Sequence, residues 1–146
     1  DLYDRLMKKV SAATQGKQVK SITFVWMQGE RDARESHGTV YAAALRGLVQ
    51  QLRTDLGRTD VDFVIGRLSD FDLPNKIYPH WTLVRQAQVE VAQSDPRGTW
   101  IDTDDLNGSN DGLHCTPEGY MEMGRRFARK AIEMLEHGKT EPGLRP

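Results

Sequence analysis

The sequence predicts an α/β fold built on a parallel sheet, and three observations carry that expectation. Ser21-Ile22-Thr23-Phe24-Val25-Trp26-Met27 is nearly continuous in apolar character. Such runs suit strands covered on both faces, whereas half-exposed strands alternate. Segments of this extended kind take turns along the chain with segments of helical periodicity, the signature of strand–helix–strand units. Each extended segment also runs into a polar loop rich in titratable groups. In parallel sheets the functional crevice lies at the carboxyl ends of the strands.

In order along the chain, residues 2–13 read as a helix, with Leu2, Leu6, Val10 and Ala13 three to four apart and Tyr3 and Met7 widening the stripe. Gln15-Gly16-Lys17 ends it, and the strand at 21–27 follows. After the polar turn Gln28-Gly29-Glu30-Arg31-Asp32, a stripe of Tyr41, Leu45, Leu48, Val49, Leu52 and Leu56 predicts a helix that Gly57 stops in the left-handed conformation. Residues 61–66 are a second strand, and 68–79 read as irregular, with Asp-Leu-Pro-Asn turn chemistry. Trp81, Val84, Ala87 or Gln88, and Val91 predict a helix that stops before Asp95-Pro96. Residues 99–102 form a third, shorter strand, followed by a loop carrying Asp102, Asp104, Asp105, Asn107, Asn110 and Asp111. The last helix has the clearest start: Thr116 as N-cap, Pro117 at the first helical position, Glu118 at the positive end. Its expected buried stripe is Tyr120, Met123, Phe127, Ala131 and Leu135, and Gly138 is expected to end it. The domain is thus expected over 1–138, with a flexible tail at 139–146.

Composition narrows the function classes. The chain has 146 residues, one domain's worth. Apolar residues are 38%, or about 47% with Gly included, inside the usual globular range of roughly 45–50%. Lys plus Arg is 20 against 21 Asp plus Glu, for a net charge of −1. That balance lacks the basic excess of a nucleic-acid binder or a polybasic membrane anchor. No apolar run reaches the roughly 18–20 residues a bilayer span needs. The single Cys115 excludes an internal disulfide and a Cys-rich zinc site. Asp1-Leu2-Tyr3-Asp4-Arg5 is not the opening of a signal peptide, and without a leading Met residue 1 need not be the natural start. The compartment stays open.

The right-handed crossover rule brings three loops, 28–32, 67–72 and 102–114, to one edge of the sheet. In the last of them Asp111-Gly112-Leu113-His114 lets a carboxylate reach back to the imidazole Nδ1 hydrogen. That bond sets the tautomer, leaves Nε2 to accept a proton and stabilises the imidazolium that forms. The same spacing also suits a purely structural hydrogen bond at a helix start. In the first loop a strand ends in Gln28, Gly29 and Glu30. A Gln amide is a suitable fixed donor for an oxyanion, and Gly permits close backbone approach. A solvated strand-to-helix turn reads the same way.

Val25-Trp26-Met27-Gln28-Gly29-Glu30-Arg31-Asp32-Ala33 resembles the W-x-Q-G-E-x-D-A block of the sialate O-acetylesterase-like and acetylxylan-esterase-like SGNH hydrolases. Trp81-Thr82-Leu83-Val84-Arg85-Gln86-Ala87-Gln88 is similar to that family's V/I-R-x-A-Q helix. Asp111-Gly112-Leu113-His114, with Thr116-Pro117-Glu118-Gly119-Tyr120 after it, is similar to its terminal D-x-x-H block. The three blocks stand in family order across residues 21 to about 137. The resemblance implies a three-layer flavodoxin-like fold and hydrolysis of O-acetyl esters on carbohydrate, with no cofactor. By it His114 is general base and then acid, Asp111 orients it, and Gln28 is an oxyanion donor beside Gly29. Glu30 supports the mouth, and Arg85 bonds a carboxylate such as Glu30 or Asp70, unless it is an ordinary surface ion pair.

One block is missing. The family carries its nucleophilic serine in an N-terminal G-Q-S-N or G-D-S block, and none of Ser11, Ser21, Ser36, Ser69, Ser94 and Ser109 has that context. Arg31 also stands where members often have a small residue. The expectation is therefore the C-terminal portion of a longer esterase, or a truncated relative, with the fold cut to its last three strands, inactive alone, and the nucleophile on a preceding segment. In a 2-1-3-4-5 sheet the strand at 21–27 then becomes an open apolar edge. Such edges are aggregation-prone, so the isolated chain is expected to be marginally stable or to self-associate through residues 21–27.

Two other readings compete. A non-catalytic carbohydrate-binding module would use Trp26, Trp81 and Trp100 as stacking faces, although each sits in an apolar-periodic segment. A metal-dependent hydrolase would use Asp102, Asp104, Asp105, Asn107 and Asp111. Counted from Asp102, however, Asn107 falls where a calcium loop needs Gly and Leu113 where it needs Glu. His37, His80 and His137 show no paired ligand spacing. Cys115, next to His114 on a turn, points away from it and reads as a small buried residue.

Overall fold

A computed structural model describes residues 1–140. The elements run α1 (Leu2–Thr14), β1 (Ile22–Trp26), α2 (Glu30–Arg34), α3 (Gly38–Leu56), β2 (Val61–Gly66), α4 (Trp81–Gln93), β3 (Gly98–Ile101) and α5 (Pro117–Thr140), with a single 3-10 turn at Asp104–Leu106. The strands form one parallel sheet in the order β1-β2-β3. Registers run from Ile22 opposite Val61 to Trp26 opposite Ile65, and from Phe63 opposite Gly98 to Gly66 opposite Ile101.

All six residues of β2 are buried, Asp62 among them, its Oδ1 accepting from Arg97 (2.9 Å). Its alternate side chains point to two cores. Phe63 and Ile65 pack with Tyr41, Leu45 and Val49 of α3 and with Trp81, Val84 and Val91 of α4. Val64 packs on the other face with Ile101, Leu106, and Met123 and Phe127 of α5. Each fully buried large apolar side chain contributes roughly 1.5–3 kcal/mol over leaving it in water. This is a helix–sheet–helix sandwich on a three-strand parallel sheet, consistent with the expected flavodoxin-like architecture.

β1 is an edge, as expected from the strand order. Phe24 and Trp26 pack toward the core beneath α3 and α4. Val25 points to the other face, where α5 covers β2 and β3 but does not extend over β1, and it is 48% exposed. α1 differs from its expected stripe. It buries none of its residues, and Leu2 and Leu6 are exposed while Tyr3, Met7 and Val10 are half-buried. The Tyr3 hydroxyl donates to Asp55 Oδ2 (2.6 Å), tethering α1 to the end of α3. An amphipathic stripe states only which face is apolar; burial needs a surface to receive it.

The helix punctuation behaves as its chemistry dictates. Gly57 takes φ 61° and its N–H reaches the carbonyls of Arg53 and Thr54. Thr116 Oγ1 accepts from the Gly119 N–H (3.0 Å), which confirms the cap of α5. Two details of α5 differ from expectation. Tyr120 is 53% exposed, because the buried Gly119 takes the place against Leu106. Met134, rather than Leu135, packs on the core. The helix also passes through Gly138 to Thr140, since one glycine lowers helix propensity by only about 1 kcal/mol. The remainder of the expected tail, residues 141–146, lies outside the described residues. Among the described residues no helix is long and apolar enough to cross a membrane.

Candidate active site

The loops after β1, β2 and β3 lie at the carboxyl edge of the sheet; the second is bonded to the first through α4 and to the third directly. Gln88, on α4, is fully buried. Its Oε1 accepts from the Leu68 N–H after β2 (2.8 Å), and its Nε2 donates to the Gln28 carbonyl after β1 (2.8 Å). Gly29 makes this reach feasible. A Cβ there would lie 3.0 Å from Gln88 Nε2 and 2.8 Å from Val84 Cγ1, and its φ of 152° is unfavourable to other residues. Tyr41 on α3 completes the cluster. Its hydroxyl donates to the Gln28 carbonyl (2.7 Å) and accepts from Trp26 Nε1 (3.1 Å) and Gln88 Nε2 (3.3 Å).

Arg85 joins the second loop to the third. It donates to the Leu68 carbonyl and, through both terminal nitrogens, to Asp104 (2.8 and 3.2 Å). The sequence suggested Glu30 or Asp70 as its carboxylate; the partner is Asp104. One residue earlier on α4, Val84 faces the core, and this points the Arg85 stem along the sheet edge toward the loop after β3. Asp70 instead accepts from Asn107 Nδ2 (2.9 Å). Arg67 donates to Asp102 and Asp104 (both 2.8 Å) while lying over the Trp100 ring, 4.8 Å from its centre. Burial alone would raise the Asp104 carboxyl, but Arg85 and Arg67 outweigh it and hold it below the usual range. Arg126 clasps Asp105 with two 2.6 Å bonds. The acidic loop is thus a set of arginine-bound carboxylates that fasten the rim.

At the exposed lip stands the pair foreseen from spacing. His114 Nδ1 lies 2.6 Å from Asp111 Oδ2, and Asp111 Oδ1 accepts the backbone N–H groups of Leu113 and His114 (2.9 Å each). Three bonds fix the carboxylate, and through it the ring. The His114 side chain is 70% exposed, so Nε2 opens to solvent rather than to the core. The His114 hydrogen bond, then the two backbone N–H groups, press the Asp111 carboxyl down to about 2. Reciprocally, Asp111 raises the His114 imidazole above its ordinary 6.5, and the Glu30 carboxylate adds in the same direction. Glu30 Oε2 accepts from the Gly29 N–H (3.0 Å) at the start of α2.

The sign of the pH dependence follows. A raised imidazole keeps its proton longer, so the basic form develops above pH 6.5. The pair's small, solvent-screened stabilisation is complete between 3.8 and 6.5. It fades as Asp111 protonates toward about 2, and again as His114 loses its proton. In a ¹H–¹³C titration of the ring, the His114 midpoint is expected above 6.5 and falls in Asp111→Asn. A midpoint unmoved by that substitution would break the pairing.

Of the other candidates, Gln28 is half-buried, with its Nε2 donating to Asp32 Oδ2 (2.6 Å). Trp81 is fully buried, its Nε1 bonded to the Ser69 carbonyl (2.8 Å), and so offers no sugar-stacking face. Ser69 is buried, and no serine hydroxyl pairs with His114 among the described residues. Tyr41 had no distinctive local signal, and Asp104 was one of several carboxylates in the acidic loop. Gln88 was marked by the R-x-A-Q helix block and as a polar residue on the apolar face of a helical stripe, but neither feature named its partners.

Fold and site define an α/β protein with an acid–imidazole pair and an amide-bearing turn on loops at the carboxyl edge of its parallel sheet. The chain belongs to the carbohydrate esterase family of sialic acid-specific acetylesterases, whose model matches residues 1–133. No curated protein matches the sequence. The solved structure of an Arabidopsis thaliana protein is similar, with 24% identity and a TM-score of 0.75, over 90% of this chain and 52% of the other. It shares the fold, and this chain spans about half its length.

Proposed function

We propose that this chain supplies the proton-transfer and oxyanion half of a serine esterase acting on O-acetylated carbohydrate, the nucleophilic serine arriving on a segment that precedes residue 1. The observation that carries the reading is the His114–Asp111 bond of 2.6 Å with Nε2 left open. His114 Nε2 takes the serine proton as its oxygen attacks the acetyl carbonyl. It then returns the proton to the departing sugar oxygen, and water repeats the cycle on the acetyl-enzyme. Asp111 holds the tautomer, and Gln28 donates to the oxyanion beside Gly29. Glu30 supports the developing imidazolium charge, while Arg85 acts indirectly by fastening the loop after β3. The test compares aryl-acetate hydrolysis by this chain alone and by the protein carrying the preceding segment. Activity is expected only in the longer protein. Hydrolysis by the short chain, abolished by changing one of its own serines, would overturn the reading.

The open edge of β1 fits the same proposal. Its outer hydrogen-bonding groups await a neighbouring strand, and without one a second copy can pair there. Sedimentation velocity on residues 1–146 is expected to show concentration-dependent association. Val25→Lys, which places a charge on the exposed face of β1, is expected to weaken it. A monomer at all concentrations counts against an open edge in solution.

A further inference from the structure

We infer that Asp32 is a positioning residue that decides which end of the Gln28 carboxamide meets the substrate; the inference rests on the proposed donor role of Gln28. An amide presents a donor at one end and an acceptor of the same shape at the other. Only the donor stabilises an oxyanion, so the orientation has to be chosen by neighbours. The backbone of Gln28 is already held, because its carbonyl accepts from Tyr41 (2.7 Å) and Gln88 (2.8 Å). The freedom that remains is rotation of the side chain.

At the Oε1 end the Tyr41 hydroxyl lies 3.5 Å away, and its one proton is directed to the Gln28 carbonyl instead. That end therefore selects weakly. At the Nε2 end stands the Asp32 carboxylate at 2.6 Å, an acceptor with no proton to give. A flipped amide would set oxygen against carboxylate oxygen at that distance. Asp32 takes one amide hydrogen and leaves the second for a ligand.

The anchor is rigid. Asp32 sits on α2 beside Ala33, which is fully buried and whose carbonyl accepts from the His80 N–H (3.0 Å). The Asp32 carbonyl accepts from His37 N–H (2.8 Å). The charge-assisted bond is therefore made from a fixed platform, the condition under which a neighbour can orient a donor.

The experiment has two arms. In this chain, the two Gln28 side-chain amide protons are expected to be widely separated in ¹H–¹⁵N spectra, the carboxylate-bonded one downfield. In Asp32→Ala and Asp32→Asn the separation collapses toward that of a free amide, with backbone signals outside α2 unchanged. In the serine-complete protein, Asp32→Ala is expected to lower kcat about tenfold, within the roughly 100-fold that a misplaced group costs, at unchanged KM. A free-amide spectrum in the unsubstituted chain overturns the inference. So does a kcat that stays the same or rises in Asp32→Ala, because Asp32 would then only sequester the amide. If the serine-complete protein has no esterase activity, the proposed function fails, and the spectra still decide whether Asp32 orients Gln28.

Discussion

His114→Ala in the serine-complete protein is expected to abolish acetyl-ester hydrolysis, with kcat falling by about 10⁴-fold or more and KM little changed. The loss is large because one nitrogen serves twice, taking the proton from the attacking hydroxyl and delivering it to the departing sugar. Asp111→Ala is expected to cost less, since the ring remains and loses only its orientation and charge support; comparable triads lose about 10⁴ against about 10⁶. The kcat/KM profile of the unsubstituted protein should rise with pH through a midpoint above 6.5, where the raised imidazole gives up its proton. Asp111→Asn should move that limb to lower pH. Steady-state kinetics with an aryl acetate across pH 5–9 measures both. If His114→Ala kept most of its activity, the base would be elsewhere.

The second large effect concerns Gln88, and it is one of folding. Gln88→Leu keeps much of the volume but strips the Leu68 N–H of its acceptor, while the Gln28 carbonyl keeps Tyr41. A buried donor left unsatisfied costs about 1–3 kcal/mol, a large share of a total stability of roughly 5–15. Gln88→Glu tests the network more sharply. The introduced carboxyl can still accept from Leu68, but once ionised it faces the Gln28 carbonyl with no proton to donate and no counter-charge. Its folded-state pKa is therefore raised above the unfolded value of about 4.3. The variant should approach normal stability below that value and lose it as pH rises, by about 1.4 kcal/mol for each unit of the raise. Urea unfolding at pH 4 and pH 7 reads the difference. Equal stability at both pH values would show that the buried amide is not a donor here.

The two predictions sit on residues of very different legibility. His114 and Asp111 were readable because their partnership is local, three residues apart on a loop that a capped helix terminates. Gln28 and Gly29 were readable from their place at a strand end. The parallel sheet was legible from the near-continuous apolar run at 21–27 and from the alternation of extended and helical segments, and the boundaries of β2, Val61–Gly66, coincide with the expected strand. Gln88 was the even alternative to Ala87 in a helical stripe, and both proved to be buried. Nothing in its neighbours announced that its amide would join two loops 20 and 60 residues away. The partner of Arg85 is hidden from the sequence for the same reason. Charge complementarity named several carboxylates, and only the path of the stem along the sheet edge selected Asp104.

Periodicity and punctuation alone therefore determined the order and type of the main elements, the edge at which the polar loops gather, and the local acid–imidazole pair. These depend on interactions within a few residues of one another. Tertiary packing decided which apolar stripes were received and which, like that of α1, were left half-covered. It also decided which buried polar groups bind the loops into one rim. Those outcomes depend on distances between elements far apart in the chain, and a buried hydrogen bond forms only where the packing of both its partners happens to bring them within about 3 Å.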